Sequence, residues 1–325
     1  MNIAVDVTPL AQTRAGTARY LQALLPRVER AVHVDRVSGC AHGRPGTLWL
    51  DLAWYPHVLP RRVRRADVLH CPTYRGPARS TAPLVVTVHD VAVFRHPEAF
   101  PRWTRAYSRF AVPRVLRAAR RVLAVSDFTA SELEEVLGVP REKLRVTPNA
   151  VDEVFSPDGV RADGDYLLAV GTLEPRKNLA RTIEAAARLG LELRVVGARG
   201  WGGVEAGGGH VRLLGEISDE ELAQQYRGAL CVAYPSLYEG FGIPVLEAMA
   251  CGAPVVTSAG GATEEVSGGA AVLVDPRDIA AITDGVEAAI GRRDELRTLG
   301  LERARAYSWD ETARLTVDAY REAAA

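Results

Sequence analysis

Lysine is nearly absent from this chain of 325 residues: of its 40 basic side chains only Lys143 and Lys177 are lysines, and the remaining 38 are arginines. Methionine occurs twice and cysteine four times. The cysteines, Cys40, Cys71, Cys231 and Cys251, are scattered with no Cys-x-x-Cys spacing. That spacing argues against a zinc site or a disulfide framework and suits small core residues in a reducing compartment. No apolar run approaches 18 residues, so no segment reads as a membrane span. The opening MNIAVDV has no basic stretch ahead of an apolar core, so it does not read as a secretory signal. A cytoplasmic protein is expected. The formal net charge is zero, which excludes nucleic-acid binding by bulk charge. The scarcity of lysine gives the survivors meaning: a retained lysine suits a place where a compact ammonium is needed and a planar guanidinium is not.

What is present is an alternation of apolar strands and amphipathic helices. NIAVDV is followed by a loop carrying Gly16 and by the helical pattern ARYLQALLPRVER. Strands ADVLHC (66–71), PLVVTVHD (83–90), RRVLAVSD (120–127) and LRVTPN (144–149) follow, with helices at 102–121 and 131–138. Ser126 or Asp127 is placed to cap the second of these, and Pro113 is expected to interrupt the first. Near residue 165 the pattern restarts. DYLLAVG, LELRVVG, VRLLG, LCVAYPS, PVVTS and AAVLVDP read as strands, with helices between them and a last helix over 309–325. Such alternation predicts an α/β protein with two doubly wound parallel sheets. The turn-rich 148–165 reads as a linker, which divides the chain into domains 1–150 and 151–308 and leaves the final helix to pack toward the N-terminal domain. A ligand is expected at the carboxyl ends of the strands, in a cleft between the halves.

Three constellations carry chemistry. In YPSLYEGFGIPVLEAMACG (234–252), Glu239 lies in a loop with Gly240 and Gly242, and Glu247 lies one turn into the following helix. Two carboxylates beside helix-start amides suit a ligand with both hydroxyls and phosphate. In VGTLEPRKNL (170–179), Arg176 and Lys177 precede a helix start. Two cations there oppose the helix dipole and make sense beside a bound anion such as a diphosphate. His89 and Asp90 close a buried strand. His70, at the end of a similar strand, reads as structural. Gly16 comes without the Gly-x-Gly-x-x-Gly pattern, which counts against a dinucleotide fingerprint. Solvated side chains on helix surfaces are the plain alternative for the first two constellations, and a satisfied structural histidine is the plain alternative for His89.

Together these segments resemble the family 4 retaining glycosyltransferases of GT-B fold. The Glu-x7-Glu pattern is matched by Glu239 and Glu247, the phosphate loop by VGTLEPRKN, and the strand-end His-Asp by His89 and Asp90. VSDFTASEL and VTPNAVD match the stretch that leads into the hinge. The resemblance implies that Glu247 binds the ribose of a nucleotide sugar. Glu239, with Gly240, Phe241, Gly242 and Ile243, holds the donor sugar. Gly171, Arg176 and Lys177 serve the diphosphate. Gly16 lets the N-terminal loop approach the phosphates, and His89 sits by the reacting carbon. Leu214, Gly215 and Glu216 line the base pocket. Many members carry arginine after Val-Gly, where this chain has Thr172, so that role passes to Arg176.

The expected activity is metal-independent transfer of a hexose, mannose first, from a GDP- or UDP-linked donor to a glycan, lipid-linked or natural-product acceptor. No cofactor is expected. No Asp-x-Asp motif is placed to bridge a metal and a diphosphate. A non-catalytic sugar-nucleotide-binding subunit and a GT-B epimerase are the alternatives. Residues 61–121 hold 14 arginines against three acids, Asp67, Asp90 and Glu98. The stretch PRWTRAYSRFAVPRVLRAARR mixes these arginines with Trp103, Tyr107 and Phe110, so peripheral contact with the inner face of a membrane is a further expectation, with a solvated helix face as its alternative.

Overall fold

The computed structural model describes residues 1–12, 16–39, 43–200 and 209–325. They form two compact units: Met1–Asn149 together with Trp309–Ala325, and Ala150–Ser308. Cys71, Cys231 and Cys251 are buried and free; Cys40 lies outside the described residues, as does most of the glycine-rich loop 201–209.

The first unit is built on strands β1 (Asn2–Asp6), β2 (His33–Val37), β3 (Val68–Cys71), β4 (Leu84–Val88), β5 (Arg121–Ala124) and β6 (Leu144–Val146). Their order is β2-β1-β3-β4-β5-β6 and every pairing is parallel. β3 and β4 are buried at every position. They therefore read in sequence as continuous apolar runs, as strands covered on both faces must. β2 lies at the sheet edge with two of its five residues half-buried and three exposed. Its sequence HVDRV has no apolar run to announce it, and only its pairing with β1 makes it a strand.

Helix Gly16–Val28 buries Tyr20, Leu21, Leu24, Leu25 and Val28, a single stripe at helical spacing. Helix Trp309–Ala324 buries Trp309, Thr312, Ala313, Thr316, Val317, Tyr320 and Ala323. The last helix is tied to the sheet by polar contacts. The Tyr320 hydroxyl lies 2.7 Å from His70 Nδ1, and His70 Nε2 lies 2.8 Å from Thr87 Oγ1. Glu322 receives Arg121 at 2.7 Å and Arg145 at 2.8 Å. His70 is fully buried, and burial drops its pKa to about 3.

The helix at Arg102–Ala118 runs straight through Pro113, contrary to the expected interruption. A proline removes the N–H that would bond to the carbonyl four residues back. Here that carbonyl belongs to Arg109, an exposed residue, so water can satisfy it. The inward face is Ser108, Val112, Val115 and Leu116. The exposed side presents Arg102, Arg105, Arg109, Arg114 and Arg117 with Trp103 and Phe110, which are 39% and 62% exposed. Ser126 accepts the Thr129 amide at 2.9 Å and so caps the helix Asp127–Leu137.

The second unit comprises β7 (Tyr166–Val170), β8 (Glu192–Val196), β9 (Val211–Gly215), β10 (Cys231–Tyr234), β11 (Val255–Ser258) and β12 (Val272–Val274). The order is β12-β11-β10-β7-β8-β9, again wholly parallel. The chain leaves β7 toward β8 on one side and β10 toward β11 on the other. These two neighbours therefore flank the point where strand order reverses, and their loops part beyond their carboxyl ends. The segment between β6 and β7 has no regular structure but is anchored within this unit. Phe155 is buried 5.9 Å from the Tyr226 ring, and Arg227 donates to the carbonyls of Val160 at 2.7 Å and Ser156 at 3.1 Å.

A group held neutral in the fold but free to protonate when unfolded lowers stability as pH falls below its ordinary value. His70 is such a group, with the window running from its ordinary 6.5 down toward about 3. His70→Gln is therefore expected to flatten the fall in melting temperature of the first unit between pH 6.5 and 4. Parallel pH-melting curves for variant and parent would refute this.

Candidate active site

The loops after β7 and β10 bring three of the expected site residues into direct contact. Lys177 Nζ lies 2.6 Å from Glu239 Oε1, and Arg176 Nη1 lies 3.1 Å from Glu239 Oε2. One carboxylate thus receives both cations. Two residues that the sequence did not single out complete the cluster. Tyr234, the last residue of β10, accepts from Lys177 Nζ at 2.6 Å and donates to Glu239 Oε1 at 3.0 Å. Glu174, almost wholly buried, receives Arg176 Nη2 at 2.7 Å. The backbone adds Leu237 N to Arg176 O at 2.8 Å and Arg176 Nη1 to Tyr238 O at 3.2 Å. The sequence signal for Tyr234 was its address at the end of a central strand, and for Glu174 its place in the same loop as the cations.

The electrostatics follow from this packing. Burial would raise the Glu239 carboxyl, but the Lys177 ammonium and Arg176 guanidinium overcome it and hold the group at about 2. Burial likewise opposes the charge on Lys177, yet the Glu239 carboxylate and the Tyr234 oxygen lift its pKa above the ordinary value. Burial and the nearby Glu239 charge push the Tyr234 phenol up to about 12. For Glu174 burial wins, and its carboxyl rises above the usual range despite Arg176 and Lys177. At neutral pH the centre holds a carboxylate, an ammonium and a guanidinium beside a neutral phenol. Arginine and lysine cations so placed can take a diphosphate, and the carboxylate can accept from sugar hydroxyls.

The loop is shaped by unusual backbone. Asn178 has φ +60°, the one non-glycine residue in the left-handed region among the described residues. Its side chain is 4% exposed and donates through Nδ2 to Pro235 O at 2.9 Å and to Pro276 O at 2.6 Å. It thereby ties the loops after β7, β10 and β12 together. Gly171, at φ +142°, lies under the Lys177 stem, where an added Cβ would come within 3.3 Å of Cε. A Cβ on Gly197 would sit 2.1 Å from the Gly171 carbonyl oxygen. Gly197 N donates to Gly215 O at 2.8 Å, so Gly171, Gly197 and Gly215 form a continuous line of loop contacts.

Gly240, Phe241, Gly242 and Ile243 lead into the helix Ile243–Ala250, with Gly242 at φ +104° as its N-cap and Pro244 in its first turn. The first-turn amides of such a helix have no acceptor within it. Phe241 is buried edge-on against Tyr307, 5.7 Å away. Glu247 is 3% exposed and accepts from the Tyr226 hydroxyl at 2.9 Å. Leu214, Gly215 and Glu216 lie at the end of β9, the edge strand, with Leu214 half-buried and the other two exposed. Asp163 and Asp165 are the only aspartates spaced by a single residue; they precede β7, at its amino end rather than at the carboxyl-end loops.

His89 and Gly16 belong to the first unit. His89 Nε2 lies 3.0 Å from Pro72 O, and its ring meets Tyr20 edge-on at 4.9 Å. Burial lowers its pKa. Gly16 opens its helix with nothing within 4 Å of where a Cβ would stand.

A family model for "Glycosyltransferase Family 4" matches residues 4–155, and one for "Glycosyl transferases group 1" matches residues 151–305. The O-antigen chain mannosyltransferase B of Escherichia coli is 33% identical over 282 residues, covering 78% of this chain and 74% of that protein. An MMP alpha-(1->4)-mannosyltransferase of Mycolicibacterium hassiacum is 34% identical over 302 residues, covering 82% and 73%. Among solved structures, sucrose-phosphate synthase from Thermosynechococcus elongatus superposes with a TM-score of 0.80 at 21% identity, covering 99% of this chain and 98% of that one.

Asn178 offers a direct test of how the loop is held. Asn178→Gly keeps the backbone conformation and loses both ties and the bond that Oδ1 accepts from Arg181 at 2.8 Å, for an expected cost of about 1–3 kcal/mol. Asn178→Ala adds roughly 1–2 kcal/mol of left-handed strain. Asn178→Asp, which turns acceptors toward two carbonyls, should be the least stable in denaturant unfolding. Equal stability of the aspartate and glycine variants would show that the carbonyl contacts carry nothing.

Proposed function

The chain belongs to the family 4 glycosyltransferases, with two parallel-sheet units of GT-B fold, and we propose that it is a retaining mannosyltransferase that uses a nucleotide-diphosphate sugar, GDP-mannose first. The observation that carries the reading is the meeting of Arg176, Lys177 and Glu239 where strand order reverses between β7 and β10. Mannose as the sugar is supported by the names of the two relatives, both mannosyltransferases.

In this reading Arg176 and Lys177 take the diphosphate and offset the charge it gains as the glycosidic bond breaks. Their positive charge, with the amides that start the helix Ile243–Ala250, supplies what a divalent cation supplies elsewhere, so the transfer needs no metal. Fixed charge aimed at a leaving group commonly lowers a barrier by roughly 3–4 kcal/mol per donor. Glu239 and the amides of Gly240, Phe241 and Gly242 hold hydroxyls of the hexose, and Ile243 continues that wall. Glu247 binds the ribose. Leu214, Gly215 and Glu216 line the base, in line with the Gly171–Gly197–Gly215 contacts. Gly16 and His89 are assigned by the family resemblance alone, to the phosphates and the reacting carbon. Retention of configuration rests on the same resemblance.

The acceptor is a glycan, a lipid-linked sugar or a natural product. Contact with an anionic membrane surface from the cytoplasmic side is supported by the exposed side of the helix Arg102–Ala118, which carries five arginines, Trp103 and Phe110 and no acid. No helix of the described residues is long and apolar enough to cross a membrane, so attachment of this kind would be peripheral.

Two measurements test these readings. Lys177→Ala and Glu239→Ala should each lower GDP-mannose turnover at least about tenfold, and the Lys177 variant should lose the thermal shift that GDP gives the parent. Near-normal turnover in both variants would remove the site assignment. In co-sedimentation, anionic vesicles should retain the protein and release it with rising salt; equal retention by neutral vesicles would remove the membrane reading.

A further inference from the structure

Tyr234 is a neutral side chain that contacts both charges of the Lys177–Glu239 pair through the same atom. Its hydroxyl accepts from Lys177 at 2.6 Å and donates to Glu239 Oε1 at 3.0 Å. Lys177 Nζ also stands 5.0 Å from the centre of its ring. The residue is buried at the end of a central strand, so its place is set by the sheet and not by a loop.

The direct ion pair poses a problem for a diphosphate site. With Lys177 and Glu239 2.6 Å apart, the carboxylate competes with any phosphate for the ammonium. It competes for Arg176 as well. Donor binding must draw the cations toward the diphosphate and free the carboxylate for sugar hydroxyls. A carboxylate stripped of its cations in a buried site is costly unless another donor stays with it. The Tyr234 O–H is such a donor, and its backbone is held by pairing with Thr257 of β11.

We propose that Tyr234 is a positioning residue for glycosyl transfer: its hydroxyl holds Glu239 and Lys177 in register, so that the ammonium can be shared with the diphosphate while the carboxylate keeps a hydrogen-bond donor. The proposal rests on the donor-site reading above. Tyr234 touches neither sugar nor phosphate in it; it acts through its two neighbours.

The test is a double-mutant cycle of Tyr234→Phe with Lys177→Ala, measured as GDP-mannose turnover with kcat and KM separated. The phenylalanine keeps the ring beside Lys177 and the packing volume, and removes only the hydroxyl. Tyr234→Phe is expected to lower kcat at least about tenfold and to change donor KM less than about threefold, because register matters most as charge develops on the leaving group. Its melting temperature should stay within about 5 °C of the parent. In the Lys177→Ala background the same change should cost less than about threefold, since residues acting as a unit are not additive. A Tyr234→Phe enzyme with parental kcat, or losses that multiply in full in the double variant, would overturn the positioning role while a large Lys177→Ala effect left the donor site standing. A melting drop beyond about 10 °C would assign Tyr234 to the fold instead. Parental turnover by Lys177→Ala would overturn this proposal, and parental turnover by Glu239→Ala as well would overturn the donor-site reading with it.

Discussion

The buried carboxylate of Glu239, held by Lys177 and Arg176, is the constraint around which the second unit is arranged. Removing one member of such a pair typically costs about 3–5 kcal/mol, because the other is left charged away from water. The residues concerned come from two loops more than 60 positions apart in sequence. What brings them together is the strand order: β7 and β10 are neighbours although two strands intervene in the chain. The left-handed Asn178 then ties those loops together, and the glycines at 171 and 197 let the loops after β7 and β8 approach closely. The loop backbone is costly by itself and is sustained by the contacts it makes.

The two lysines turn out to differ in use. Lys143 donates to the Arg117 carbonyl at 2.7 Å, in the last turn of the arginine-rich helix, where any cation is favourable. Lys177 is packed between the Glu239 carboxylate and the Tyr234 phenol oxygen. A guanidinium is broader and planar and would not fit two partners converging on a single nitrogen. The scarcity of lysine was therefore informative at one position and silent at the other.

Much of the fold was legible. Strands covered on both faces must be apolar throughout, and helices packed on them must be apolar on one stripe; both patterns are written in the chain at β3, β4 and the helix Gly16–Val28. The exceptions have physical causes. β2 is an edge strand, so its side chains meet water and obey no pattern. Pro113 orphans the carbonyl of Arg109, an exposed residue, so a residue that usually breaks a helix does not break this one. The family 4 membership was legible from Glu239, Glu247, Arg176 and Lys177 at their spacings.

The sequence alone thus determined the alternating α/β class, the two-sheet organisation and the residue types of the candidate site, because periodicity and local motifs are short-range properties. Only the tertiary structure decided that Glu239 is already paired with both cations, that Tyr234 joins that pair, that Glu174 holds Arg176, and that Glu247 is turned inward against Tyr226. The contacts of Arg176 and Lys177 with Glu239 and Tyr234 join distant segments, created when the sheet sets β10 beside β7, and neither loop carries a mark of its partner.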